Sequence, residues 1–171
     1  MKLNEIKKIY EGTMKNLLGF TINGKKITKD TPNEVWTGHF YCSEKNITSL
    51  EYCPIEVHGN FDCSYNKLKT LEHCPKEIHG NFNCSNIKLK SLKGIHKQLY
   101  EMNGVFYAHN NPIISHVIGI LLVKGCKKIY ITDSKVMYIL NKYLPNTSGM
   151  KSVIECQSEL LDAGFEDYAQ L

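Results

Sequence analysis

Gly38-His-Phe-Tyr-Cys42-Ser43, Gly59-Asn-Phe-Asp-Cys63-Ser64 and Gly80-Asn-Phe-Asn-Cys84-Ser85 recur at intervals of 21 residues, and Gly104-Val-Phe-Tyr-Ala108-His109 follows 24 residues later. Their companions recur too: Ile47-Thr-Ser-Leu50, Leu68-Lys-Thr-Leu71 and Leu89-Lys-Ser-Leu92, then Pro32-Asn-Glu-Val35, Pro54-Ile-Glu-Val57 and Pro75-Lys-Glu-Ile78. Within one copy Val57, Gly59, Phe61 and Cys63 alternate with His58, Asn60 and Asp62, the period of a strand. Leu71, Cys74 and Ile78 then carry apolar side chains to the start of the next copy. One copy cannot bury that set alone, so the copies are expected to stack.

The run Phe61-x-Cys63-x-x-Asn66-x-Leu68 has the form of a leucine-rich repeat core, and a period of 21 lies inside the range of that class. Pro54 and Pro75 favour an extended return segment over an α-helix. The extended pattern L-x-x-L-x-x-C-P-x-E-[I/V]-x-G-N-F-x-C-S resembles the short bacterial leucine-rich repeats. It is more closely similar to the Cys-containing repeat proteins common in tailed-phage genomes. The closing stretch Glu155-Cys-Gln-Ser-Glu-Leu-Leu-Asp-Ala-Gly-Phe-Glu-Asp-Tyr-Ala169 extends that resemblance, which covers residues 32–171. The family has no uniform activity, so the resemblance implies architecture and a binding role rather than chemistry. The sequence departs from it where Asn66 is replaced by Lys45 in the first copy and Ile87 in the third. The turns of those two copies are therefore expected to be looser than the second and the fourth, which has Asn111.

The expected fold is α/β: a short solenoid of parallel strands over residues 32–114, with an N-terminal cap over 1–31 and a C-terminal α/β cap over 115–171. Leu3, Ile6, Ile9 or Tyr10, Met14, Leu17 and Leu18 form a helical stripe across 3–18. Phe20–Thr28 reads as a hairpin about Asn23-Gly24, a type I′ signature. Beyond Pro112, Ile113–Val123 reads as a buried helix and Lys127–Thr132 as a strand. Asp133 is placed to cap a helix over 134–143, and a last helix starts at Ser148 or Ser152 and ends near Ala163-Gly164.

Composition narrows the function. The 171-residue chain has a net charge of +4, and all 21 basic residues are lysine. Arginine fingers and guanidinium–phosphate forks are thereby excluded. From Lys67 to Lys151 there are 13 lysines against four acids, whereas 152–171 holds five acids and no lysine. The longest apolar run, Val117–Val123, is far shorter than a membrane span, and residues 1–20 do not read as a secretory signal. A cytoplasmic protein with reduced cysteines is expected, in the host cell if the chain is phage-encoded.

No G-x-S-x-G, H-E-x-x-H or P-loop pattern is present, and no enzyme, cofactor or metal is expected. The cysteines at 42, 63 and 84, and at 53 and 74, lack C-x₂₋₄-C spacing and are read as core. The expected binding surface is one continuous strand face bearing His39, Tyr41, His58, Asn60, Asp62, His79, Asn81, Asn83 and Tyr107. Stacking brings His58 over His79, a pair capable of metal binding or acid–base work but read here as polar surface. Its expected partner is another protein, a host defence or replication factor blocked by occlusion. The alternative is nucleic acid along Lys67, Lys69, Lys88 and Lys90.

Overall fold

The computed structural model describes residues 16–113, 115–144 and 150–171. The expected helix over 3–18 lies mostly outside the described residues, and Asn16–Leu18 are not helical. Strands β1 (Thr21–Ile22) and β2 (Lys25–Lys26) pair antiparallel. Asn23 and Gly24 both take positive φ between them, 48° and 81°, as a type I′ turn requires.

From residue 35 onward the chain deals successive short strands into two parallel sheets. The first sheet holds β3 (Val35–Trp36), β5 (Glu56–Val57), β7 (Glu77–Ile78) and β9 (Glu101–Met102) in that order. The second holds β4 (Phe40–Tyr41), β6 (Phe61–Asp62), β8 (Phe82–Asn83), β10 (Val105–Tyr107) and β11 (Lys128–Tyr130), ordered β4-β6-β8-β10-β11. Helices α1 (Ile95–Gln98), α2 (Ser134–Tyr143) and α3 (Met150–Asp162) complete a mixed α/β fold with open parallel sheets. A 3₁₀ helix at Val117–Leu122, almost wholly buried, stands where an α-helix was expected. Asp133 caps α2 by accepting from Lys135 N and Val136 N. The described part of α3 begins at Met150, so the start expected at Ser148 lies outside the described residues.

The core is a set of aligned columns. Phe40, Phe61, Phe82 and Phe106 are fully buried, with successive ring centroids 5.6, 5.1 and 5.1 Å apart. Cys42, Cys63, Cys84 and Ala108 form the next column, and all seven cysteines are free and buried. Burial pushes the thiols up, to about 12 for Cys74, so they stay protonated and behave as small apolar groups.

Two expectations are corrected here. The segment 57–63 is not one strand with one outward face, because pairing breaks at the glycine and passes from the first sheet to the second. A hydrogen-bond ladder runs along that corner. His39 Nδ1 accepts from Asn60 N at 2.9 Å, Asn60 Oδ1 from Asn81 N at 2.9 Å, and Asn81 Oδ1 from Val105 N at 2.8 Å. Each acceptor occupies the space a side chain would need at Gly59, Gly80 or Gly104, where a Cβ would lie 2.4–2.6 Å from it. Second, the turns of the first and third copies, which lack an asparagine of their own at this position, are hydrogen-bonded by the asparagine of the following copy. Asn66 Oδ1 accepts from Lys45 N and Ile47 N, and Asn111 Oδ1 accepts from Ile87 N and Leu89 N. Each asparagine thus serves the turn before its own.

Candidate functional site

The two-sheet arrangement sorts the nine expected surface residues into three groups. His39, Asn60 and Asn81 belong to the corner ladder, where one acceptor atom of each is committed to the backbone of the next strand. His58 and His79 follow β5 and β7 in the first sheet, with Glu56. Tyr41, Asp62, Asn83 and Tyr107 lie side by side in the second sheet.

That last group is a cross-strand row. The register pairs Tyr41 with Asp62, Asp62 with Asn83, Asn83 with Tyr107, and Tyr107 with Tyr130. At about 4.8 Å per strand the row runs ~19 Å, with Tyr41 and Tyr107 about 14 Å apart. The shorter Asp62 and Asn83 between them leave a shallow hollow of about 260 Å³. Tyr107 stacks on Tyr130, centroids 5.4 Å apart and rings within 4° of parallel, while Tyr41 stacks on His39 at 5.3 Å. Tyr41 is 44% exposed.

The floor of the hollow is set in advance. Asp62 Oδ1 accepts from Ser64 N at 2.9 Å and from Ser64 Oγ at 2.6 Å. Asn83 Nδ2 donates to Asp62 Oδ2 at 3.1 Å, and Asn83 Oδ1 accepts from Ser85 N. No cation among the described residues forms an ion pair with Asp62. A fixed carboxylate between the exposed Tyr41 and the half-buried Tyr107 is suited to a basic side chain from outside, through charge and cation–π attraction together.

The first sheet carries different chemistry. Glu56 Oε1 lies 2.8 Å from His58 Nε2 and 2.9 Å from His79 Nε2, and the two imidazole centroids are 4.7 Å apart. These three side chains could hold a metal ion, and no cysteine joins them. Two further acids at the strand starts are paired with lysines: Glu34 with Lys25, and Glu101 with Lys124 at 2.8 Å. Val35, not Glu34, stands in register with Glu56. The interval from Pro32 to Pro54 is 22 residues rather than 21, so Glu34, which holds the place of Glu56 in its own copy, falls one residue out of register with it.

On the turn side, Lys67, Lys69, Lys88 and Lys90 are all exposed. Lys69, Lys90 and Lys93 border a hollow of about 300 Å³ that also takes in Leu71, Leu92 and Glu72.

Sequence reasoning missed Glu56 as the third member of the histidine cluster and Tyr130 as the end of the row. Glu56 is two residues before His58, so period-two alternation puts both on one face. Tyr130 lies in the expected strand 127–132, but nothing local to that strand gives its register against β10. Among the described residues no helix is long and apolar enough to cross a membrane. Comparison with protein-family models, with curated proteins and with solved structures returned no match.

Proposed function

We propose that the chain is a short leucine-rich-repeat-like solenoid that acts as a protein-binding module, without catalysis of its own. The regular delivery of one strand to each sheet supports the solenoid reading. The observation that carries the binding reading is the in-register row Tyr41–Asp62–Asn83–Tyr107–Tyr130 with its pre-set carboxylate. Tyrosines spend little side-chain entropy on contact, and they are enriched where proteins meet. The partner this row fits is a protein that inserts a lysine or arginine over Asp62. The resemblance to tailed-phage repeat proteins makes a bacterial host factor, occluded by the bound module, the class of target to seek.

The test is affinity capture from bacterial lysate with mass spectrometry, with and without nuclease. The wild-type chain is compared with the triple variant Tyr41→Ala, Asp62→Asn, Tyr107→Ala. A stoichiometric protein that survives nuclease and is lost from the triple variant supports the reading. Capture unchanged by the variant overturns the choice of face. The alternative, nucleic-acid binding along Lys67, Lys69, Lys88 and Lys90, draws on the exposure of those lysines. It expects nucleic acid in the capture, lost with rising salt and with Lys88→Glu plus Lys90→Glu.

A further inference from the structure

We propose that Glu56, His58 and His79 form a binding site for one divalent transition-metal ion of the zinc class, bridging β5 and β7. Parallel pairing places the two histidines one strand apart, and alternation puts Glu56 on the same face. The three ligand atoms then converge: both imidazole Nε2 atoms reach a single carboxylate oxygen, at 2.8 and 2.9 Å. Two neutral imidazoles with one carboxylate make a donor set that favours zinc, copper, nickel or cobalt over magnesium or calcium.

The two nitrogen–oxygen separations are close to those a zinc site needs. Zinc bonds of about 2.0–2.1 Å at tetrahedral angles separate ligand atoms by about 3.3 Å. The two nitrogen–oxygen separations need to open by about 0.5 Å, a small rotation for side chains that are 45% (His58), 49% (His79) and 25% (Glu56) exposed, and all three ligand atoms lie within 4.8 Å of one another. Without metal, an Nε2–H on each imidazole donates to the ionised carboxylate oxygen Glu56 Oε1. Metal binding needs the Nε2 lone pair, so that proton passes to solvent and each neutral ring carries its single proton on Nδ1. Glu77 stands in register beside Glu56 and adds negative potential without occupying the site. The buried, protonated cysteines do not compete.

Three protein ligands on an exposed sheet leave the remaining positions open to water or to a ligand from another molecule. The site lies on a different sheet from the Tyr41–Tyr130 row, so it stands or falls independently of the binding face proposed above.

Isothermal titration of the intact, reduced chain with Zn²⁺ tests it, alongside His58→Ala, His79→Ala, Glu56→Gln and, as a control, His73→Ala. The expected result is saturable uptake of one ion per chain, weakened roughly tenfold or more in each of the three site variants. His73→Ala is expected to bind as the wild type does. Circular dichroism melts of the metal-free variants establish that they fold. Cobalt substitution supplies a second readout, a visible absorption band that disappears with His79→Ala. No saturable uptake, or uptake that persists unchanged in all three site variants, overturns the proposal.

Discussion

Asparagine ties one strand segment to the next at two places, the turns and the corners, and the load it carries differs between them. At the turns Asn66 is 5% exposed and makes five hydrogen bonds, to Lys45 N, Ile47 N, Cys42 O, Cys63 O and Ser64 O. Asn111, 2% exposed, repeats the arrangement with Ile87, Leu89, Cys84 and Ala108. At the corners Asn60 and Asn81 are only half-buried, and each Oδ1 accepts one backbone N–H. A buried amide that serves two turns leaves several orphaned groups when removed, whereas a corner amide leaves one that water can reach. The row in the second sheet differs from both ladders in carrying Asp62, a carboxylate with which no cation among the described residues forms an ion pair.

The comparison can be broken by substitution, with unfolding in urea followed by the fluorescence of Trp36, the only tryptophan. Asn66→Ala is expected to cost the most, about 3–5 kcal/mol, because buried N–H and C=O groups in two turns lose their partners together. Gly80→Ala comes next, at about 2–3 kcal/mol. Its Cβ would sit 2.4 Å from Asn60 Oδ1 and 2.8 Å from the Gly59 backbone, which cannot swing away. Asn60→Ala is expected to cost about 1 kcal/mol, the net worth of one hydrogen bond. Asn83→Ala, in the row, is expected to cost about 0.5–1 kcal/mol, since Asp62 Oδ2 can rehydrate and only the N–H of Ser85, which is 4% exposed, loses its acceptor. If Asn60→Ala proves as damaging as Asn66→Ala, the distinction between the two ladders fails.

Much of the fold was legible because a 21-residue period in the sequence fixes which residues become neighbours. The phenylalanine and cysteine columns, the hairpin at Asn23-Gly24 and the Asp133 cap all follow from local pattern. The break between the two sheets was not legible. His58-Gly59-Asn60 alternates like a strand, and the ladder that marks the corner joins side chains to backbone N–H groups one copy later, as Asn60 Oδ1 does to Asn81 N. The reach of Asn66 and Asn111 to the preceding copy was hidden for the same reason, since spacing within a copy says nothing about which copy a side chain serves. The candidate site was therefore half legible. Tyr41, Asp62, Asn83 and Tyr107 were named, but their separation from His58 and His79 needed three dimensions, and so did the addition of Tyr130 and Glu56.

The most direct test of the central claim, that the second-sheet row receives a protein bearing a basic side chain, is site-specific photo-crosslinking in bacterial lysate. p-Benzoylphenylalanine is placed at Tyr107, in the row, and at Tyr138, which is 74% exposed on α2 outside the row. The account expects a discrete, nuclease-resistant protein adduct from position 107, suppressed by Asp62→Lys, and none from position 138. Equal adducts from both positions, or adducts at 107 that vanish with nuclease, would contradict it.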